Sequence, residues 1–242
     1  MLAKKNEVVV AIHQPNFFPW LGYFDKITRA DVFVFLDDVQ FPKTGGVWSN
    51  RVKLLIGGEE RWFTASIDRQ YHGTRLINEM QLLQDNPWRS KLLKTLENEY
   101  QKHPFYSDVS AVITPLLLNP EGNIAEYNIH AVTAIAKVLG LDTSKLRRSS
   151  SCVTTGVSNE LLCNLTRAVG GNVYMCGGGA EGYQDDTIFA SQGVGLQYQH
   201  FQHPVYPQRG QTACVPGLSV IDAAMNVGWQ GVRQILMNGT IN

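Results

Sequence analysis

Several features that would fix a function class at once are missing. Lysine plus arginine number 21 and aspartate plus glutamate 21, so no basic excess points to nucleic acid. No basic cluster points to a membrane surface either. No apolar run approaches the length needed to cross a bilayer. Lys4 and Lys5 precede an apolar stretch, but it stops at His13, too short for a signal peptide and without a small-residue cleavage site. A cytoplasmic protein is expected. Cysteine is sparse: Cys152, Cys163, Cys176 and Cys214 fit no zinc spacing and include no Cys-x-x-Cys pair. They should be reduced there and serve packing. Only Cys176 stands apart, beside a glycine-rich stretch, and no metal site is expected. Charged residues make up 17% and apolar residues 44% of the 242, which is a globular composition with enough length for a sizeable core.

What is present is organised around residues 8–41. Val8, Val9, Val10, Ala11 and Ile12 form an unbroken apolar run, suited to a strand buried on both faces. The segment HQPNFFP follows at its carboxyl end, where Pro15 and Pro19 exclude both continued pairing and helix. From Trp20 the pattern turns helical, with Leu21, Phe24 and Ile27 on one face and Asp25, Lys26 and Arg29 pointing away. Val32 to Leu36 is a second apolar strand ending in Asp37 and Asp38. So short a strand–helix–strand unit predicts a right-handed parallel crossover. Ligands of open α/β sheets bind at the carboxyl ends of the strands. His13, Gln14, Asn16, Asp37, Asp38 and Gln40 fall there, with Trp20 and Tyr23 among the aromatics that would exclude water. Each has a bland reading beside the functional one: His13 as a core histidine bonded to backbone, Gln14 and Asn16 as turn formers, Asp37 and Asp38 as caps.

Further on, residues 43–46 read as a turn, 48–54 as an alternating strand, Gly57 and Gly58 as a hairpin turn and 62–67 as the returning strand. Arg51 and Lys53 share a face; Arg51 is either a phosphate or carboxylate clamp or half of a surface salt bridge. Residues 76–83 look like a strand. Helices are expected over 87–102, 105–118 and 123–139, a helical insertion at about residues 87–140 that serves as a lid or an interface. A strand over 145–152 ends in Arg147, Arg148 and three serines, an anion-binding stretch or an exposed basic pair. After a helix over 159–169, the strand NVYMC leads into Gly177, Gly178 and Gly179, whose amides can cradle an anion. No Gly-Lys-Ser/Thr follows, so this is not a Walker loop; Tyr183, Asp185 and Asp186 lie nearby. A short helix over 187–191 and a strand over 196–201 come next. His203, Tyr206 and Gln208 sit in a rigid proline-bounded loop where they can meet a ligand, and His200 and His203 find no convincing third metal ligand. Ser219, with Asp222 three residues on, reads as the cap of the last helix.

The segment HQPNFFPWLGYFDKITRADVFVFLDDVQF, with the later WSNR, resembles the opening of the WbqC-like family of bacterial proteins. YMCGGGAEGYQDD, QYQHFQHPVYPQ and PGLSVIDAAMNVG resemble its later blocks, so the likeness runs from about residue 8 to 228. The resemblance implies polysaccharide biosynthesis at the cell envelope, including O-antigen. It matches Asn50 and Arg51 to the family's asparagine–arginine pair. The lysine common after the glycine loop is Glu181 here, so Arg51 or Arg148 would have to replace a lost phosphate contact. A second likeness concerns fold: the run from Gly22 to Phe41 is similar to the first crossover of pantothenate synthetases and related nucleotidyltransferase-like enzymes. Their His-x-Gly-His signature holds ATP phosphates, and here His13 has no second histidine in Pro19 to Tyr23.

The expectation is one α/β domain over residues 1–242, a mostly parallel sheet of nucleotidyltransferase-like (HUP-type) topology with the helical insertion. The implied activity is a transferase acting on a nucleotide-linked amino sugar, by acyl or aminoacyl transfer through an adenylate. His13 would be an acid–base or phosphate-contacting group, and Gln14 and Asn16 would orient the substrate. Asp37 or Asp38 would be a base or magnesium ligand, and Arg51 and the glycine loop would hold phosphates. ATP and Mg²⁺ would then be cofactors, and an oligomer is compatible. The alternative is a non-catalytic sugar-nucleotide-binding or scaffold protein of a polysaccharide biosynthesis complex.

Overall fold

The structure is a computed structural model that describes residues 7–43, 47–177 and 186–238. In chain order its elements are β1 (Val9–His13), α1 (Leu21–Arg29), β2 (Val32–Phe35), β3 (Arg51–Ile56), β4 (Glu59–Thr64), α2 (Trp88–Tyr100), α3 (Tyr106–Leu117), α4 (Ile124–Val138), β5 (Leu146–Arg148), α5 (Ser158–Ala168), β6 (Val173–Cys176), α6 (Asp186–Ser191), β7 (Gly195–Tyr198) and α7 (Val220–Asn238). Five strands form an all-parallel sheet in the order β5-β2-β1-β6-β7, and β3 and β4 form a separate antiparallel hairpin. The chain steps from β1 outward to β2 and β5, then returns to the other side of β1 for β6 and β7. That reversal makes the carboxyl ends of β1 and β6 the topological switch point of the sheet.

The unbroken apolar run of β1 is explained by burial on both faces. Val10 and Ile12 join Val34, Tyr174 and Cys176 in a layer with Leu165 of α5 and Phe189 of α6. Ala11, Phe33, Phe35 and Met175 point the other way, into a larger core with α1, α2, α3, α4, α7 and the hairpin. Alternation of successive side chains across the strand puts adjacent apolar residues into different layers. Gly57 and Gly58, with φ of 62° and 80°, make the two-residue hairpin turn; both central residues of such a turn need positive φ. This turn sets the register Arg51↔Thr64 through Ile56↔Glu59, so β3 starts later and β4 earlier than the alternation suggested.

Other expectations are corrected. Residues 76–83 are not a strand: they form a 3₁₀ turn over Ile77–Glu79, flanked by isolated bridges from Leu76, Gln81 and Leu82 to separate segments. The strand after residue 145 ends at Arg148, and Ser149–Ser151 turn in a 3₁₀ helix. Ser219 does cap α7, accepting from the Ile221 N–H at 3.2 Å, but Asp222 does not complete a capping box. It is fully buried and accepts from Tyr100 Oη (2.9 Å), Tyr206 Oη (2.8 Å) and Gln208 Nε2 (3.1 Å). Helix α7 is broken at Gly228, whose φ is 70° and where a Cβ would lie 2.8 Å from the Phe105 ring. The turn expected at Thr44, Gly45 and Gly46 lies outside the described residues. No helix among the described residues is long and apolar enough to cross a membrane.

Candidate functional site

A cavity of about 900 Å³ opens at the switch point. The first crossover contributes Ile12, His13, Gln14, Trp20, Gly22, Lys26 and Leu36, and the hairpin region contributes Trp48, Lys53 and Glu60. Leu162, Tyr174 and Gly177 line the opposite side, with Gln199, Phe201, His203, Pro216 and Gly217 from the segment after β7. The loop that carries Gln14 to Trp20 is fixed by backbone bonds: Phe17 N–H to Trp48 O at 2.8 Å and Val220 N–H to Pro19 O at 2.9 Å. Ser219 Oγ donates to Phe18 O at 2.7 Å. Asn128 of α4 donates to Pro15 O at 3.0 Å and to Ser49 O at 2.7 Å, tying the two loops behind the cavity together. These bonds hold Phe18 at a φ of 42°, a strained value for a residue with a Cβ.

His13 is neutral. Its Nδ1 lies 3.1 Å from Gln14 O, an acceptor, so Nδ1 carries the proton and Nε2 does not. Burial, and then the charge of Lys26, push its pKa from 6.5 down to about 3. The imidazole is therefore an uncharged hydrogen-bonding group at neutral pH. Tyr23 lies under it, donating to the same carbonyl at 3.0 Å with ring centroids 4.8 Å apart. Beyond Trp20, aromatic contacts continue outward: Trp20 to Trp48 at 4.7 Å and Trp48 to Trp62 at 4.7 Å, with the Arg51 guanidinium 3.9 Å over the Trp62 ring.

Lys26 was expected to face solvent and does not: it is 4% exposed and lines the cavity. Helix α1 is covered on a second side by Gly177 at the end of β6 and by the segment following β7. Gln199 Nε2 donates to Gly22 O and to Asp25 Oδ2, both at 2.7 Å, and a Cβ on Gly177 would sit 3.3 Å from Lys26 Nζ. Burial pulls the Lys26 pKa from 10.5 to about 8, against the opposing charges of Cys176 and Asp25. A usable signal was Gly22, one helical turn before Lys26 and on the same side: a glycine there admits a close neighbour. Trp48, Tyr174 and Phe201 were also missed, because nothing local marks them as cavity walls.

Of the residues singled out in the sequence, the structure brings His13, Gln14, Trp20, Gly177 and His203 together in the cavity. Burial, and then Lys53, lower the His203 pKa. Lys53 lines the cavity too, and the other described ones lie outside the lining. Asp37 is buried and accepts from Ser149 Oγ (3.0 Å), Ser150 N–H (3.0 Å) and Ser150 Oγ (2.7 Å), while Asp38 accepts from Ser149 Oγ. The pair thus fastens the turn after β5 to the end of β2. Arg148 forms an ion pair with Glu126, Asn50 Nδ2 donates to Ala65 O at 3.1 Å, and Gln40 bridges to Leu76. Asn16 and Tyr23 are buried behind the cavity, and Tyr206 and Gln208 belong to the Asp222 network. Gly178, Gly179, Glu181, Tyr183 and Asp185 lie outside the described residues. Among the described residues no group of three or more histidine, cysteine or acidic side chains could hold a metal. Glu60, the carboxylate of the described lining, is paired with Lys53 at 2.9 Å, so these side chains do not fit a magnesium ion.

The model of the WbqC-like protein family matches residues 14–234. The chain is 27% identical over 222 residues to the uncharacterized protein Rv1507c of Mycobacterium tuberculosis, a match covering 90% of this chain and 94% of that protein. No solved structure matches.

Proposed function

The chain belongs to the WbqC-like family, and we propose that it binds a nucleotide-linked amino sugar in the switch-point cavity and transfers an acyl or aminoacyl group to it, in cytoplasmic assembly of a cell-surface polysaccharide. The cavity's composition carries this reading. Its size is that of a site for a cofactor-sized ligand. Trp20, Trp48, Tyr174 and Phe201 offer flat apolar surfaces for a base and a pyranose, and Lys26 offers a cation between them. The strand order, taken over the five parallel strands alone, is the doubly wound order of nucleotide-binding sheets, which supports a nucleotidyltransferase-like topology. The whole chain then acts as one α/β unit with the region of α2, α3 and α4 as its helical subdomain.

In such a transfer the sugar amine forms a C–N bond to an acyl carbonyl carbon, the bond to the donor's leaving group breaks, and the proton lost by the amine passes to the departing group or to solvent. Neutral His13, with Nε2 unprotonated, accepts a hydrogen bond from that amine, while Gln14 and His203 orient the sugar. An adenylate or a thioester would serve as the activated donor. The engagement of Asp37 and Asp38 by serines favours one second reading, a sugar-nucleotide-binding protein without turnover, since no unpaired carboxylate base lines the described cavity. Thermal-shift titration with ATP, UDP- and dTDP-linked sugars and coenzyme A thioesters tests both. A ligand at about 100 times its Kd adds about 2.7 kcal/mol to the native state. A sugar nucleotide should raise the melting temperature ahead of the others; silence from every nucleotide would defeat the proposal. Product formation from an amino-sugar nucleotide with an acyl donor separates transferase from binder.

A further inference from the structure

We infer that the Lys26 ammonium is the anion anchor of the cavity, receiving the diphosphate of the bound nucleotide beside the Gly177 backbone. This rests on the nucleotide reading above and names the group that holds its charge. Three observations carry it. The first is burial: Lys26 is 4% exposed yet lines the cavity. A buried ammonium without an ion-pair partner is strongly destabilising, and proteins rarely keep one without a use. The second is the missing partner: Lys26 makes no hydrogen bond or ion pair to any described residue. The nearby Asp25 carboxylate is taken by Gln199 Nε2 at 2.7 Å and by Arg29 at 3.4 Å. The third is that the other candidate cations are engaged. Lys53 is bound to Glu60 at 2.9 Å and Arg148 is paired with Glu126, while Arg51, stacked over Trp62 at 3.9 Å, does not line the cavity.

The position agrees. A Cβ on Gly177 would come within 3.3 Å of Nζ, so the ammonium stands against the residue that follows β6. Strands β1 and β6 have parallel neighbours that lead away in opposite directions, which opens the crevice where phosphates sit in doubly wound sheets. Arrival of an anion stabilises the charged form of Lys26. The groups facing it are His13 from β1, Cys176 from β6 and Asp25 from its own helix; Gln199 adds no charge. Of these described groups Asp25 carries a counter-charge, but its carboxylate is bound by Gln199 and Arg29 and offsets the burial only in part, so ligand binding at alkaline pH takes up a proton from solvent.

The test is calorimetric titration of the full chain with inorganic pyrophosphate and with UDP-glucose at pH 8.5, in two buffers of different ionisation enthalpy. The wild type should bind both, with proton uptake on UDP-glucose binding. Lys26→Met should weaken both by about tenfold or more, the scale of a lost hydrogen bond to a charged group, and should abolish the uptake. Lys26→Arg should restore part of the affinity. The melting temperature of each variant reports that it is folded. UDP-glucose binding equally well to Lys26→Met with unchanged uptake overturns the anchor and leaves the nucleotide reading standing. Lys26-dependent pyrophosphate binding with every nucleotide of the thermal-shift panel silent supports the anchor and overturns the nucleotide reading. Binding of neither probe by the wild type overturns the anchor, and silence of the whole panel then overturns the nucleotide reading as well.

Discussion

Replacing Lys26 by methionine should make the ligand-free protein more stable. The fall of the ammonium pKa from 10.5 to about 8 measures how much less the fold tolerates the charge than water does. At 1.36 kcal/mol per tenfold change in proton affinity, that is about 3 kcal/mol. The sign follows from linkage. Below pH 8 both folded and unfolded chains carry the proton, and the fold bears the whole penalty. Between pH 8 and 10.5 the folded chain releases its proton first, so the penalty disappears as pH rises. Methionine keeps most of the buried stem and its contacts while removing the charge. Urea unfolding should therefore show the variant about 1–3 kcal/mol more stable at pH 7, which corresponds to about 2–4 °C per kcal/mol in a chain of this size. The gap should shrink to below about 1 kcal/mol at pH 10. A variant less stable than the wild type at pH 7, or a gap that does not change with pH, would refute the reasoning. Stability gained together with binding lost is the behaviour of a group kept for function.

Three further outcomes follow from the same geometry. Gly22→Ala places a Cβ 2.6 Å from Trp20 Nε1 and 2.8 Å from Phe201 Cδ1, so two cavity walls must shift. Helix propensity gains up to about 1 kcal/mol, so nucleotide affinity should fall while the melting temperature hardly moves. Asn128→Leu leaves Pro15 O and Ser49 O without their donor, at about 1–3 kcal/mol for each buried acceptor left unpaired. Chemical denaturation and ligand titration should show stability and affinity falling together, the opposite pairing from Lys26→Met. His13 is held neutral, its pKa lowered from 6.5 to about 3, so its contribution to stability is complete above pH 6.5 and is lost as pH falls toward 3. His13→Gln should flatten that part of the acid unfolding curve, read by circular dichroism.

The frame of the site was legible because its signals are local. The apolar run Val8 to Ile12, the prolines at 15 and 19 and the paired glycines at 57 and 58 each restrict the backbone without help from distant residues. They were enough for the parallel crossover and the hairpin, and so for placing His13, Gln14 and Trp20 at a strand end. What failed were inferences that needed a second neighbour. Asp222 follows Ser219 at the spacing of a capping box, yet Tyr100, 122 residues away, turns it into the centre of a buried network. Residues 76–83 have the look of a strand, but their bridges reach three different segments and build no sheet. Arg51 and Lys53 do share a face. Only the register of the hairpin, which sets Lys53 opposite Trp62, shows that the Arg51 guanidinium stacks on the nearby ring, outside the described cavity lining, while Lys53 lines it.

Lys26 is the most instructive of these. A helical wheel assumes one core, and on that assumption Asp25, Lys26 and Arg29 all belong in water. The sheet order breaks the assumption, because the return of the chain across β1 brings the ends of β6 and β7 down on the outer flank of α1. Asp25 and Arg29 are drawn into bonds with Gln199 there, by its side chain and its carbonyl respectively, and Lys26 is enclosed without any. The residue that the local pattern files among solvated charges is thus the one whose environment departs furthest from water. An amphipathic helix beside a switch point should be searched for charge on the flank that its partner strands will cover. Here that flank is marked by Gly22 and Lys26, one turn apart.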